Sequence, residues 1–515
     1  MRSTPYRFLL LLLALPLLAA GGVAAGAEDP APAPGGGADA QLARIEDHLR
    51  AVEEELARLK ESKATSDARV GEVEEQVAGL QSLAERVRIG GYGSLRWEQS
   101  SLADASNTFT FRRLVLTTEA QLAEHLRFYS ELEYERFRKL ELERGVSRQD
   151  GGLALTQSVG GTSDSEISLE QAWLEWEFDP RLRLRAGGVL VPLGRFNQNH
   201  DDNQWDLTRR TLVDRGVPVL PVAAAWDELG VGLNGTFQVG EGDLSYQLYV
   251  VNGAALDGEL EQVAATRSPD TRRLAFEAEF SPQTGTFSSD TKEGKAVAGR
   301  LAWSPAPGHE IAASFYTGRY TPGYLDGRNV LSLALDGITR FAGFELEGEL
   351  VTTEWGGLRS VAKSFAEQAV FGEAALENTE LEAEVEFELS NLAKRKTGYW
   401  LELRYPFWPS FLPTAGFANP QLVPVLRFEQ VWFEDRLAEL AFTGGAVTAL
   451  RLENRLLQRA TIGLAYRPTP LIVVSAAYEY TWADHGGLLG LTNFLPARAD
   501  ERDLHAVSLG VAFGF

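Results

Sequence analysis

Two hydrophobic periodicities divide the chain. From Leu42 to Val87, one series of fourteen positions is spaced at alternating steps of three and four residues, and twelve of the fourteen are apolar. We call this series the seam of the helix, because it would face a partner helix. This heptad spacing predicts a coiled-coil helix. From Val87 onward, apolar and polar residues alternate singly over segments of about ten residues, which predicts β-strands with two different faces.

The seam of the helix bears on its oligomeric state. Leucine occupies several a positions and isoleucine or valine the facing d positions, a mixture that favours trimers over parallel dimers. The alternative is a single solvated helix that lies on another surface. Lys63, Ser66, Gly71 and Gly79 weaken the second half, so a break is expected there.

The last strand alternates most clearly. Its apolar row is Val507, Leu509, Val511, Phe513 and Phe515, and its other row is Ala506, Ser508, Gly510, Ala512 and Gly514. An apolar outer row opposite small residues suits a transmembrane β-barrel with a wide, wet lumen. Phe513 and the terminal Phe515 fit the barrel-assembly signal found at the C-terminus of such barrels.

Segments between the predicted strands alternate between short turns and long loops, as in bacterial outer-membrane barrels. The fold class is therefore an all-β transmembrane barrel of about sixteen antiparallel strands. The alternating stretch from Leu381 to Leu389 leaves eighteen strands open, because it is either an extracellular hairpin in the sixth loop or part of a larger barrel.

The N-terminus predicts export. Residues 1–27 combine two arginines, a short apolar run and a small-residue cleavage site, which is typical of a signal peptide. We assign 28–40 to a Pro/Gly-rich linker, 41–86 to a periplasmic coiled coil and 87–515 to a barrel in the outer membrane of a Gram-negative-type bacterium. The chain has no cysteine, so no disulfide framework is expected.

Charge excludes one class of partner. The formal net charge is −23, which argues against nucleic acid. Expected partners are outer-membrane lipid and lipopolysaccharide, further copies of the chain in a homotrimer, small anionic or neutral solutes, and the cell wall through the coiled coil.

Three short motifs resemble one known family, the phosphate-selective porin O/P group of trimeric outer-membrane porins. Phe111–Leu116 with Glu119 is similar to its second strand, Leu184–Gly194 to its fifth and Tyr246–Gly253 to its seventh. The heptads resemble the subset of dicarboxylate-type channels with a periplasmic coiled coil. The resemblance implies a water-filled channel narrowed by an inward-folded third loop.

Candidate site residues follow from that expectation. The third-loop segment from Arg195 to Leu229 would give a transverse field if its charges oppose each other across a constriction; the alternative is that they pair with each other. The charged residues of this constriction loop are Arg195, Arg209, Arg210, Arg215, Asp201, Asp202 and Asp206.

In the predicted barrel wall, side chains point alternately outward and inward along each strand. This alternation places a set of arginines on the lumen side, where they would attract anions. These are Arg113, Arg127, Arg183, Arg185, Arg404 and Arg427. The alternative is that they form salt bridges with inward glutamates, namely Glu131, Glu133, Glu175, Glu345, Glu347, Glu402 and Glu429. Lysine is almost absent from the predicted strands, with Lys139 at a strand end, which speaks against phosphate selectivity.

Enzymatic and metal chemistry are not expected. The six histidines fall in separate segments, and no residue stands out as catalytic or as a cofactor ligand. Asn197 to Asp206 lacks the spacing of a calcium loop and is better explained as a solvated loop. The function predicted is passive, charge-biased diffusion of small hydrophilic, chiefly anionic solutes. A tether between outer membrane and cell wall, and a barrel hydrolase, are the alternatives.

Overall fold

The computed structural model describes residues 38–101, 107–135, 140–149, 152–161, 166–216, 218–267, 271–284, 294–365, 380–387, 392–443, 446–484 and 502–515. The predicted signal peptide and most of the predicted linker lie outside this part. The chain divides into two units, Met1–Ser82 and Leu83–Phe515, and each is taken by itself.

A single helix, α1, runs from Ala38 to Arg86 over 49 residues. It continues through Lys63, Gly71 and Gly79, so the predicted break is wrong; helix formers around the two glycines outweigh their low propensity. Seven apolar side chains of the seam are 50–62% exposed: Leu42, Ile45, Leu49, Val52, Leu56, Leu59 and Val70. No helix in the described ranges is long and apolar enough to cross a membrane.

Most of the rest of the described chain is built of β-strands. They are β1 Val87–Ser100, β2 Thr108–Ala123, β3 Leu126–Glu135, β4 Leu140–Gln149, β5 Gly152–Gly161, β6 Glu166–Asp179, β7 Leu182–Leu190, β8 Asp227–Val239, β9 Gly242–Val251, β10 Ala255–Arg267, β11 Thr271–Gln283, β12 Ala296–Ala306, β13 His309–Arg319, β14 Asn329–Phe341, β15 Phe344–Trp355, β16 Glu380–Phe387, β17 Ala393–Arg404, β18 Gln421–Thr443, β19 Ala446–Thr469, β20 Ile472–Ala483 and β21 Asp503–Gly514.

Sixteen of these strands form a closed antiparallel barrel. Each pairs with the next around the ring β1–β3, β6–β9, β12–β15 and β17–β21. The ring closes where β21 pairs with β1, from Tyr92 opposite Gly514 to Ser100 opposite Ala506. Gly91 and the terminal Phe515 extend this strand pairing by exchanging backbone hydrogen bonds of 3.2 and 3.0 Å. The predicted fold class is confirmed at sixteen strands.

The doubtful stretch near Leu381 lies outside the ring. It forms β16, which pairs in parallel with β11 and antiparallel with the end of β18, while β15 and β17 pair directly with each other. The stretch therefore belongs to the sixth loop, where the described residues form a single strand paired with two other elements and not a hairpin. β4 and β5 form a separate hairpin in the second loop, and β10 pairs with β11 in the fourth.

Most connections at one end of the barrel are two-residue turns. The turn at Ala342 and Gly343 has positive φ at both residues (49° and 83°), the conformation that suits tight hairpins. At the other end, the third loop covers residues 191–226, between β7 and β8. It contains the short helix α2 (Arg195–Gln198), a 3₁₀ turn (Asp202–Gln204) and a π turn (Leu212–Gly216).

The alternation of side chains along each strand determines which of them face outward. On β21, Val507 and Leu509 are more than 40% exposed on the outer surface, whereas Ala506 and Ser508 are buried. The same alternation gives β14 its exposed Leu331, Leu333 and Leu335. A single chain therefore presents an apolar outer surface and keeps its polar side chains inside, the reverse of a soluble barrel.

Candidate functional site

The third loop folds into the barrel instead of outward. Phe196 of the loop stacks on Trp205 with ring centroids 4.3 Å apart, and Trp400 of β17 meets Trp205 edge-on at 5.6 Å. All three side chains are buried. The loop thus carries its own small aromatic core and packs it against the wall.

Wall carboxylates hold the backbone of the loop. Glu349 of β15 accepts a hydrogen bond from the Phe196 N–H at 3.0 Å, and Glu429 of β18 accepts one from the Leu212 N–H at 2.8 Å. Because these two buried amides have no sheet partner, the inward glutamates accept their hydrogen bonds instead. Lys396 of β17 also donates to the Pro218 carbonyl. The expectation that strands almost lack lysine is wrong at this position.

Farther round the wall, on β19 to β21, the loop packs on small residues. Thr208 and Ser475 of β20 share a hydrogen bond of 2.8 Å. A Cβ at Gly510 would lie 2.8 Å from Thr208, and one at Gly463 would lie 2.4 Å from Leu207. The small inward residues predicted to border a wet lumen therefore make room for the loop.

The charges of the loop pair chiefly with the wall. They therefore differ from both expectations, which were unpaired charges that oppose each other across a constriction and charges that pair with each other within the loop. Arg195 bonds to Glu310 and Glu347, Arg209 lies 2.6 Å from Glu98 and 3.4 Å from Glu479, and Asp206 lies 2.6 Å from Arg467. Two of the charges stay within the loop. Arg210 pairs with Asp202 and Asp214 and donates to two loop carbonyls, and Asp201 accepts a hydrogen bond from Gln204. The Arg215 side chain lies outside the described part.

Asp202 joins the loop to the first two strands. Its carboxylate accepts a 2.6 Å hydrogen bond from Ser94 and lies 3.6 Å from the Arg113 Nε. Burial raises the pKa of this carboxyl, but the guanidinium groups of Arg113, Arg112 and Arg210 outweigh burial and hold it well below its usual range. Asp202 is therefore a stable anion inside the barrel.

All six predicted wall arginines carry a carboxylate partner, as the salt-bridge alternative expected. Arg113, Arg404 and Arg427 are at most 8% exposed at the side chain and pair with Glu133, Glu347 and Glu402, respectively. Arg127, Arg183 and Arg185 are 38%, 26% and 16% exposed and pair with Glu175, Glu177 and Glu175. The second group is the more accessible to solvent.

An aromatic ring supports part of the exposed group. The Arg185 guanidinium lies 3.9 Å from the centre of the Trp173 ring, and that of Arg127 lies 5.2 Å from it. Tyr129 stacks on the same ring at 5.1 Å. Stacking on an indole holds the planar guanidinium in place while its edge stays free to donate.

Two cavities open at the turn end of the barrel. One, of about 570 Å³, lies below the third loop and contains Arg195, Arg340, Arg404 and Arg467 with Asp206, Glu345 and Glu347 among its lining residues. The other, of about 580 Å³, contains Arg127 and Arg183 with Glu119, Glu175 and Glu177. The first has one more arginine than it has carboxylates.

Sequence reasoning missed a cluster around His200. This buried loop histidine lies near Glu131 of β3, Glu170 of β6 and its neighbour Asp201. Burial lowers the pKa of His200, but the adjacent Glu170, Asp201 and Glu131 carboxylates raise it overall. Spacing in the sequence gives no signal for this cluster, because its members come from three separate elements.

The barrel can now be compared with known proteins. Residues 90–337 match the model of the family described as phosphate-selective porin O and P. The resemblance drawn from the sequence motifs is confirmed over this stretch, which runs from β1 to β14. A curated relative from Aquifex aeolicus (strain VF5), described as an uncharacterized protein, is 30% identical over 179 residues, which is 35% of each chain. The match thus spans about a third of that relative.

Solved structures give broader and weaker similarity. The anion-selective porin from Comamonas acidovorans is 11% identical with a TM-score of 0.46, covering 83% of this chain and 99% of that one. The outer membrane channel DcaP of Acinetobacter baumannii is 9% identical with a TM-score of 0.43, covering 83% and 97%.

Proposed function

We propose that this chain is an outer-membrane porin that lets small hydrophilic solutes diffuse passively past an inward-folded third loop. One observation carries the proposal: a closed sixteen-strand barrel with an apolar outer surface holds residues 191–226 inside it by contacts to the wall strands β15 and β20. A barrel of this size encloses an aqueous channel, and a loop inside it sets the width. The match to a porin family supports the same proposal.

We further propose a bias toward anions. Among the residues that line the cavity below the third loop, arginines outnumber carboxylates by four to three. Each guanidinium has five donors, so an arginine that is already paired can still offer N–H groups to a passing anion. We do not extend the proposal to phosphate selectivity, because no lysine lines this cavity among the described residues.

Conductance in planar bilayers tests both parts. Purified protein should give large steps, and the reversal potential in a salt gradient should report preference for the anion. Arg340→Gln removes one arginine from the lining of the cavity and should bring the reversal potential closer to zero. Its matched control is Arg181→Gln, because Arg181 forms an exposed pair with Asp179 in a turn. A barrel that does not conduct would refute the porin proposal, and a cation preference would refute the bias.

We propose that the barrels are assembled as trimers through α1, with the helix in the periplasm. In a single chain, the seven seam side chains are at least half exposed, so a partner helix would bury them. Deleting Gln41 to Glu85 should convert trimers to monomers in light scattering while leaving the conductance of each barrel intact. Loss of envelope integrity with trimers retained would instead assign the helix to a cell-wall tether.

A further inference from the structure

A β-bulge brings an extra carboxylate into the barrel next to the third loop. In the pairing of β3 with β6, Glu131 lies opposite Gln171 and Leu132 opposite Leu169, so Glu170 has no partner in the register. The bulge turns Glu170 and Gln171 inward together, whereas regular alternation would send one of them to the outer surface. Glu170 is buried there beside Glu131.

His200 of the third loop points its imidazole at these two glutamates. Its Nε2 lies 3.4 Å from Glu170 Oε2, 4.0 Å from Glu131 Oε1 and 3.9 Å from Asp201 Oδ1. The ring is 97% buried, and neither Nε2 nor Glu170 Oε2 makes a hydrogen bond of ordinary geometry. The centre of the cluster thus has a buried nitrogen and a buried oxygen with unused lone pairs.

The other ring nitrogen is fixed by the backbone. His200 Nδ1 lies 3.1 Å from the Asn197 carbonyl oxygen, which can only accept, so the hydrogen is on Nδ1. In the neutral ring this leaves Nε2 as the free base. A histidine held by a carbonyl at one nitrogen and open at the other has the arrangement of metal-ligating histidines.

The three carboxylates lack the cations that neutralise other acids in this barrel. Glu131 accepts from the neutral side chains of Gln171 and Tyr129, and Asp201 accepts from Gln204. In the described part of the chain, no arginine or lysine lies within 4.0 Å of Glu131, Glu170 or Asp201. Three carboxyl groups, two of them buried, therefore surround one imidazole, and a bound cation would stabilise this arrangement.

We propose that Glu131, Glu170, His200 and Asp201 form a binding site for a divalent transition-metal cation of the Zn²⁺ type. Imidazole with carboxylates suits such ions, whereas Ca²⁺ and Mg²⁺ prefer oxygen ligands alone. Bonds of about 2.0–2.1 Å in a tetrahedral site separate ligand atoms by about 3.4 Å. One donor atom each from Glu131, His200 and Asp201 already lie within 4.8 Å of one another, so small side-chain movements complete the site.

The ion would connect the third loop to the wall. His200 and Asp201 belong to the loop, Glu131 to β3 and Glu170 to β6, so one cation joins three elements. The Asp201 side chain is 31% exposed and gives the ion a route from the lumen. Binding therefore fastens the loop at a position far from its contacts with β17 to β20.

The test is Zn²⁺ binding to the purified full chain in detergent, stripped of metal by chelation and followed by calorimetry. The site predicts one Zn²⁺ per chain, weakened more than about 100-fold in His200→Gln and, separately, in Glu170→Gln, since even an outer-shell partner is worth 10–100-fold. Controls are His309→Gln, whose ring contacts Thr339, and Glu354→Gln, which pairs with Arg395. Both should keep the stoichiometry and the affinity of the unaltered protein.

Two results would overturn the proposal: no saturable binding by the unaltered chain, or equal binding by His200→Gln. Circular dichroism and heat-dependent gel mobility establish that each variant is folded, and Glu170→Gln serves if His200→Gln is not. Absorption of the Co²⁺-loaded chain provides a second readout, because tetrahedral coordination with an imidazole ligand gives visible bands that the two ligand variants should lose. Binding in detergent is independent of conductance, so failure here leaves the porin proposal standing.

Discussion

The six inward arginines of the wall fall into two regions that behave differently. In the first, Arg113, Arg404 and Arg427 are buried and contact the third loop through Asp202, Asp206 and the Arg209 carbonyl. In the second, Arg127, Arg183 and Arg185 pair with wall glutamates and stay partly exposed. Side-chain direction is the same in both regions. The loop, not the strand, decides whether an arginine is buried or stays accessible to solvent.

The buried region should dominate stability. Replacing Arg427 by Met removes the closer cation of the buried Glu402 and leaves it only Arg404, whose Nε lies 3.6 Å away; breaking a buried pair costs about 3–5 kcal/mol. The same change at Arg183, whose partner Glu177 is exposed, should cost less than about 1 kcal/mol. Urea unfolding in lipid vesicles, followed by tryptophan fluorescence, measures both. Equal losses would erase the distinction between the two regions.

The aromatic contacts of the loop should come next in size. Trp205→Ala removes the ring that stacks on Phe196 and meets Trp400, at a cost of about 3 kcal/mol of packing. A loosened loop should raise the mean single-channel conductance and its noise. Trp173→Ala is the matched control in the exposed region and should leave the noise unchanged. Quiet, unaltered channels from Trp205→Ala would mean that the loop does not depend on this contact.

The exposed region should control selectivity, with a smaller effect. A unit charge about 10 Å from an ion in water contributes about 0.4 kcal/mol, or about two-fold in relative permeability. Arg127→Gln should therefore lower the anion-to-cation ratio about two-fold at low salt and less at high salt. Arg127→Lys keeps the charge and should keep the ratio. A ratio that falls equally in both variants would assign Arg127 a structural role.

The sequence predicts the barrel well because period two and turn spacing are local properties. They give the sixteen strands, the closing strand and the inward direction of Arg113 and Arg427. The wall residues that the loop covers are determined by hydrogen bonds between residues far apart in the sequence: Thr208 bonds to Ser475, and the Leu212 N–H bonds to Glu429. No local pattern carries such pairings, so buried and exposed arginines look alike in the sequence.

The His200 cluster fails to emerge from the sequence for a related reason. Regular alternation directs every second residue of β6 inward. The bulge at Glu170 interrupts this alternation and places an additional carboxylate inside the barrel. A bulge has no signature here, since Glu170 and Gln171 are both ordinary polar strand residues. Lys396 was missed because its role depends on Pro218, which belongs to the third loop.

The central claim is that the third loop lies inside the barrel against β20. The chain has no cysteine, so Thr208→Cys with Ser475→Cys introduces the sole pair of thiols, at positions whose side-chain oxygens are 2.8 Å apart. We expect oxidation to form a disulfide between residues 208 and 475 of one chain, which peptide mass detects. We also expect the conductance to be the same before and after reduction. Failure of the two cysteines to join in the folded barrel, or a large rise in conductance on reduction, would contradict the central claim.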